Sequence, residues 1–350
     1  MIKKKPPGGR KESVTMKAIA EEAGVTLTTV SRILNHKGGK YANQTKEKIL
    51  SIADRLKYRP NALVRGMQTG RTGTAGVMVP TTGFYCDVVT GIHEVLINND
   101  TIMLLSWNNR NLNNREESLE RQIIHQMVDR RVDGIILRSS SEDFERSYFE
   151  EIWERKIPLI LIDRHLSNLD TDFVGTDDFA GGRAAAEHLI SLGHRNMLFV
   201  GAGLAVSTSR DREDGFRRVL SESPNAYCRS VVHHPETLSE ELTKILKSRE
   251  APTAIFCYND DVARKVAKVV NEAGRSVPRD ISLVGFGNIP VPGDDLSLTS
   301  FDQHTLEIGK AAAELYLERT RSPENNGPQR RLLTAELVVR QSSGPIRQKS

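Results

Sequence analysis

Three hundred and fifty residues, 38% hydrophobic and 27% charged, are enough chain for about two globular domains and a sizeable buried core, which excludes an intrinsically disordered segment. The longest apolar run, Ile157-Pro158-Leu159-Ile160-Leu161-Ile162, has the length of a buried strand and falls far short of the ~20 residues that cross a bilayer. The net charge of +4 hides a split: residues 1–74 carry 16 Lys and Arg against five Asp and Glu, a net of +11, leaving 33 basic and 40 acidic side chains, a net of −7, on the other 276 residues. That asymmetry predicts a small module for a polyanion, joined to a body that is not itself a nucleic-acid binder; a solvated basic face without a partner is the alternative. The basic start, Met1 to Arg10, has no apolar stretch behind it and does not read as a secretory signal, so a cytoplasmic location and no membrane partner are expected. Cys86, Cys228 and Cys257 are widely spaced and form no C-x-x-C pair, which argues against both a disulfide framework and a zinc site.

In chain order, a basic extension (1–13) precedes Thr15, which suits the N-cap of an amphipathic helix, with Met16, Ile19, Ala20 and Ala23 on its apolar face. Gly24 stops that helix, and Thr26 can cap a second one through Leu34. A small residue at Ala20, glycine in the turn and a branched anchor at Val30 are what two crossing helices of a helix-turn-helix require. A third helix follows Asn43, with Ile49, Ile52, Ala53 and Leu56 on one face, and Arg59-Pro60 is expected to end it. In such a unit the second helix enters the major groove. Leu27, Thr28 and Arg32 would then meet base edges, Arg32 as a bidentate partner of guanine, while Thr29 and Ser31 suit phosphates. An ordinary three-helix bundle with surface threonines is the competing reading.

After the linker-like Thr69-Gly70-Arg71-Thr72-Gly73-Thr74, short apolar strands alternate with helical stretches. Strands are expected at 75–79, 102–107, 134–137, 159–163, 197–200, 254–257 and 281–284, with helices from about Asp87 and Arg115. Alternation of this kind calls for parallel sheets in α/β layers, and the length accommodates two. Ligands of open α/β sheets sit beyond the carboxyl ends of strands. That places Phe84, Tyr85, Arg138, Asp163, Arg164, Thr208, Arg212, Asn259 and Asp260 as candidates to line a site. Three arginines there favour an anionic ligand, whereas a structural salt bridge from Arg212 to Asp211 or Glu213 is the plain alternative for that residue. Gly201-Ala202-Gly203 reads as a turn, His233-His234 lacks a third metal ligand, and no H-E-x-x-H, P-loop lysine or G-x-S-x-G occurs. No catalytic residue, metal or cofactor is expected.

The run Val14 to Asn35, with Thr45-Lys46-Glu47-Lys48-Ile49, Tyr58-Arg59-Pro60-Asn61 and Ala62-Leu63-Val64-Arg65-Gly66-Met67, closely resembles the headpiece and hinge helix of the lactose-repressor and galactose-repressor (LacI/GalR) family of bacterial regulators. The resemblance continues through Val174-Gly175-Thr176-Asp177-Asp178, His188 to Arg195, Arg212 to Phe216, Asn259 to Ala263, Val277 to Phe286 and Glu336 to Ser342, covering roughly residues 14–343. It implies an all-α helix-turn-helix headpiece (14–60), a hinge and linker (61–74), a two-lobed, periplasmic-binding-protein-like α/β effector and dimerisation domain with parallel sheets (75–343), and a tail (344–350). By the same resemblance Thr15, Thr26, Asn61 and Arg65 join the DNA-contacting set, and Met67, where the family usually has leucine, is the apolar wedge of a hinge that orders over operator DNA. Arg212 aligns with an effector-binding arginine, Asn259 and Asp260 with a polar pair at the cleft edge, and Phe84 and Tyr85 with an aromatic platform. Where the family usually carries an acidic ligand-binding residue this chain has Gly287, followed by Asn288, the remaining candidate. The implied function is a homodimeric, sequence-specific transcription regulator, a repressor of double-stranded operator DNA modulated by a sugar, sugar acid or sugar phosphate. A small-molecule-binding or sugar-processing protein with an incidental basic arm is the alternative.

Overall fold

A computed structural model describes residues 14–34, 41–59, 66, 70–108, 116–139, 149–166, 169–204, 206–293, 295–322 and 327–347. The N-terminal extension, Asn61, Arg65, Met67 and residues 348–350 lie outside them. Two compact units result, Met1–Thr72 and Gly73–Ser350.

The first contains three helices, α1 (Met16–Ala23), α2 (Leu27–Leu34) and α3 (Asn43–Arg55). The Thr15 hydroxyl accepts from the Ala18 N–H at 3.3 Å, and Gly24, at φ 69°, closes α1 in the left-handed region that residues with a Cβ avoid. Ile19, Ala20, Ala23, Val30, Ile33, Ile49, Ile52 and Ala53 form one core. Two polar ties hold α3 on α1: Lys48 Nζ donates to the Ala23 carbonyl at 3.0 Å, and Arg55 pairs with Glu22. Helix α3 ends at Arg55, earlier than Arg59-Pro60. Lys57, at φ 53°, reverses the chain, and the Tyr58 N–H closes on the Ala53 carbonyl at 2.8 Å.

The second unit runs β1 (Thr74–Pro80), α4 (Gly83–Ile97), β2 (Ile102–Asn108), α5 (Glu116–Asp129), β3 (Gly134–Leu137), α6 (Glu150–Glu154), β4 (Leu159–Ile162), β5 (Asp172–Thr176), α7 (Asp178–Ser191), β6 (Asn196–Gly201), α8 (Ser207–Ser221), β7 (Tyr227–Val232), α9 (Leu238–Lys247), β8 (Ala254–Cys257), α10 (Asp260–Glu272), β9 (Ser282–Val284), β10 (Ser300–Asp302), α11 (Thr305–Arg321), β11 (Arg330–Leu333) and β12 (Glu336–Val338). One lobe is built on a parallel six-stranded sheet of order β11-β5-β4-β3-β1-β2, the other on a parallel four-stranded sheet, β7-β6-β8-β9, beside an antiparallel β10-β12 pair. Alternate residues of each central strand enter different cores. In β1, Ala75, Val77 and Val79 face one cluster and Met78 the other, which is why its apolar run is unbroken. The chain crosses between lobes three times, at 176–178, 302–305 and 333–336.

Every strand expected from the sequence is present to within a residue or so at its ends. Helix α4 begins at Gly83, ahead of the expected Asp87, so Phe84 and Tyr85 lie in its first turn. Strands β5, β7, β10, β11 and β12 were not expected as strands.

Glycines set the depth of helix packing in both lobes. A Cβ on Gly309 of α11 would stand 2.0 Å from the Val88 carbonyl oxygen of α4, and one on Gly91 would stand 2.1 Å from that of Leu306. The α7–α8 pair repeats the device, with Gly182 against the Arg212 carbonyl and Gly215 against that of Phe179, both at 2.0 Å. The opposing atoms are backbone, so no rotamer change makes room. Gly309→Ala is therefore expected to destabilise the protein by about 1–3 kcal/mol; a urea midpoint equal to that of the parent would contradict backbone-to-backbone packing.

His194 supplies a pH dependence. Its ring is 2% exposed and bonds Thr253, Ser282 and the Gly344 carbonyl at 2.9–3.0 Å, and burial pushes its pKa below the ordinary 6.5, against the pull of that carbonyl. The unfolded chain thus takes up a proton at a higher pH than the folded one, and stability present above pH 6.5 is lost as pH falls below it. Thermal melts should show a midpoint that drops as pH falls below 6.5. His194→Gln should start lower at neutral pH and lose less in acid; an equally steep loss in the variant would refute the assignment.

Candidate functional site

The outer face of α2 follows from its own capping. The Thr26 Oγ1 accepts from the Thr29 N–H at 3.2 Å and lies 2.9 Å from the Thr29 hydroxyl, fixing the first turn. Val30 and Ile33 then turn into the core, and Leu27, 51% exposed, Thr28 and Arg32 turn outward together. Thr29 and Ser31 are half-buried beside them. The hydroxyls of Thr15 and Thr26 both serve as caps, a structural duty that the sequence reading assigned to them before any contact with DNA.

In the second unit, Phe84, Tyr85, Arg138, Asp163, Arg164, Thr208, Arg212, Asn259 and Asp260 line one cavity of about 170 Å³. They come from the carboxyl ends of β3, β4 and β8 and from the first two turns of α4, α8 and α10, as the strand-end rule anticipates. The tenth candidate, Asn288, does not line it. Its amide donates to Asp302 at 3.1 Å and accepts from Arg340 at 2.5 Å, its N–H donates to Ser300 at 3.0 Å, and it belongs instead to the network behind β10.

One wall is a relay of three side chains. The Tyr85 hydroxyl donates to Asp163 at 2.6 Å and accepts from Arg138 Nε at 3.1 Å, while Arg138 and Asp163 approach to 3.8 Å. Burial holds the Tyr85 phenol protonated well above its usual range. Asp163 turns into this wall at φ 64°, a left-handed conformation that aspartate tolerates better than most residues.

The opposite wall is organised by Arg212. Its guanidinium lies 3.7 Å above the Phe286 ring, donates through Nε to Asp178 at 2.8 Å, reaches Gln303 at 3.4 Å, and bonds the Tyr258 carbonyl. A salt bridge to Asp211 or Glu213 does not form: Asp211 takes His165 at 2.8 Å and Glu213 takes Arg217 at 2.8 Å. Burial pushes the Asp178 carboxyl up to about 7, with Arg212 pulling the other way. Asn259 caps α10 through its oxygen, which accepts from the Val262 N–H at 2.9 Å. Asp260 spends both oxygens, accepting from Ser300 at 2.5 Å and from the Ile289 N–H at 2.9 Å.

Sequence reasoning missed Tyr258, Gln303 and Asp178. Tyr258 carried a signal, since it follows β8 directly; Gln303 and Asp178 join the site through contacts with Arg212 that no local pattern announces. Gly287 lines the cavity at φ 136°, which side-chain-bearing residues rarely adopt, and a Cβ there would lie 3.5 Å from the Asp260 carboxylate. The backbone at this point suits glycine, with Asp260 the nearest acid. Among the described residues no group of three or more His, Cys, Asp or Glu could hold a metal, and no helix is long and apolar enough to cross a membrane.

Two family descriptions match the chain: bacterial regulatory proteins of the lacI family over residues 15–61, and a periplasmic binding protein-like domain over residues 186–343. The HTH-type transcriptional repressor PurR of Photobacterium profundum is 29% identical over 338 residues, 94% of this chain and 98% of that protein. The HTH-type transcriptional regulator DegA of Bacillus subtilis is 30% identical over 340 residues, 95% and 98% of the two chains. Among solved structures, the lac repressor dimer bound to operator and the anti-inducer ONPF superposes with a TM-score of 0.75 at 22% identity, over 95% of this chain and all of that one, a likeness of fold. A LacI family regulator from Enterococcus faecalis with bound ribose gives 0.65 at 28% identity, over 78% of this chain and all of that one. The headpiece match, the two-lobed body and a 30% identical relative aligned along nearly its whole length lead to one conclusion: the chain belongs to the lacI family of bacterial regulatory proteins, DNA-binding regulators of transcription.

Proposed function

We propose that this chain acts in the cytoplasm as a homodimeric repressor, reading operator DNA with the outer face of α2 and tuning its grip through a small molecule in the cleft. The observation that carries the reading is the cleft's position. Its wall includes Gln303, in one interlobe crossover, which accepts from Thr176 of another at 2.9 Å, so a bound molecule touches the segments about which the lobes would move. The division into a headpiece (14–60), a hinge with linker (61–74) and an effector and dimerisation body (75–343) follows from this reading. The dimer is argued from geometry: two headpieces on a two-fold axis read a near-palindrome, and the lac repressor neighbour is a dimer on operator. The cavity is smaller than the roughly 300–1,000 Å³ of a drug-sized site, which suits one small ring. DNA contacts are assigned to Leu27, Thr28 and Arg32 at base edges and to Ser31 and Thr29 at phosphates, with Thr15, Thr26, Asn61, Arg65 and Met67 carried by the family resemblance.

Arg32→Ala should cost ~1–3 kcal/mol of operator binding and relax preference at one base pair per half-site, read by selection from randomised duplexes. Equal weakening on every sequence would reject Arg32 as a base reader. Coupling is tested by anisotropy titrations of the selected operator, with and without compounds that raise the melting temperature of the full-length protein. A ligand acting through the cleft should change operator affinity by about 5- to 150-fold; cleft ligands that leave it unchanged would refute effector control.

A further inference from the structure

Three arginines on the cleft wall point at first sight to an anionic ligand. Their surroundings argue the reverse. Arg212 is only 4% exposed, and its Nε and Nη2 face Asp178 at 2.8 and 2.7 Å. Asp178 stands behind the wall, 6% exposed, and is not part of the lining. Arg138, 2% exposed, is opposed by Asp163 at 3.8 Å and by the field of the fully buried Glu120. Across the cleft, Asp260 and Asp261 line the wall, with Arg264 3.8 Å from Asp261. Counted as formal charges, the four arginines that line or back the cleft, Arg138, Arg164, Arg212 and Arg264, stand beside five carboxylates, Glu120, Asp163, Asp178, Asp260 and Asp261, so no positive excess remains. An anion leaving water needs an uncompensated cation or a dense set of donors in return. A hydroxyl needs only one directed donor or acceptor, and the paired guanidinium, Gln303 and Asn259 offer those beside the Phe84 and Phe286 rings.

We propose that Asp178 sets the charge selectivity of the cleft: by pairing with Arg212 it makes the site accept an uncharged, polyhydroxylated ring of monosaccharide size and discriminate against the carboxylate or phosphate derivative of that ring. This inference rests on the reading of the cleft as the effector site. Asp178 acts through Arg212 and is a positioning residue. A second consequence concerns pH. The Asp178 carboxyl is held at about 7 by burial, lowered by Arg212 and raised by Asp163 and Asp211. When it is protonated, the Arg212 charge is no longer cancelled, so a uronate should bind better as pH falls through that value while its neutral parent does not. His165, bonded to Asp211 at 2.8 Å, is the other group facing this cluster that gains a proton in acid, and it must be separated from Asp178.

The test is isothermal titration calorimetry on the full-length protein at pH 7.5 with D-glucose, D-galactose and D-mannose, each against its ring-retaining uronate and its 6-phosphate. At least one neutral sugar should bind, and its charged derivatives should bind at least about tenfold more weakly, with Asp178→Asn closing that gap by about tenfold, the worth of one charge-assisted hydrogen bond. Charged derivatives binding more tightly than their parents would overturn the selectivity and leave the effector site standing; no binding by any of the nine compounds would overturn both. An unchanged ratio in the variant would refute a role for Asp178 in that selectivity. Should the variant fail to fold, the parent protein decides: uronate affinity should rise between pH 8 and pH 6 with neutral-sugar affinity flat, and a flat uronate response refutes the proposal. In a folded Asp178→Asn protein that rise should vanish; its persistence would assign it to His165.

Discussion

A buried guanidinium has to be paired and hydrogen-bonded on every side, and in this body that demand falls on Arg212. Its partners come from four places: Asp178 at the start of α7, the Tyr258 carbonyl after β8, Gln303 in a crossover, and the Phe286 ring after β9. None of the four can move far without leaving a buried charge less well satisfied. Gly182 reinforces the arrangement from the backbone side, since its missing Cβ lets α7 come up against the Arg212 carbonyl itself. The same residue that faces the cavity therefore also sets the spacing of α7, α8 and the strand ends. A ligand that took one Arg212 donor would meet a network already joined, through Gln303 and Thr176, to two of the three crossovers.

The headpiece was the most legible part of the chain, because its instructions are local. Ala20, Gly24 and Val30 each satisfy a steric demand within one turn of the place where it arises, and the 3.6-residue period of α3 is unmixed. Where reading failed, the cause was equally local but weaker in signal. A proline at position 60 looked like the stop of α3, yet Lys57 in the left-handed region ends the helix sooner, and lysine gives no advance notice of such a conformation.

In the body, a simple rule found nine cleft residues because parallel sheets bring strand ends together whatever the sequence between them. Asn288 failed because a residue just after a strand can face either way, and three polar partners turned it toward β10. The contacts missed altogether are the distant ones: Thr176 and Gln303 are 127 positions apart. Strands β10 and β12, three residues each, are too short to show any period and exist only because their partners lie alongside. Pattern reading reports what a segment prefers, and these segments take their form from what they meet.

Arginine shows the same limit in chemical terms. Counting basic residues separated a cationic headpiece from an acidic body, and the separation is real, but it says nothing about what each guanidinium does. Arg32 is exposed on a helix face with Leu27 and Thr28, where its charge and its fork of donors are both open to a polyanion. Arg212 and Arg138 are buried against Asp178 and Asp163, where charge is cancelled at home and only direction is left to offer. One side-chain type is thus solvent-facing in one unit and buried beside carboxylates in the other. The deciding variable is the presence of a carboxylate within about 4 Å of a buried guanidinium, a distance at which Coulomb attraction in protein surroundings far exceeds its value in water.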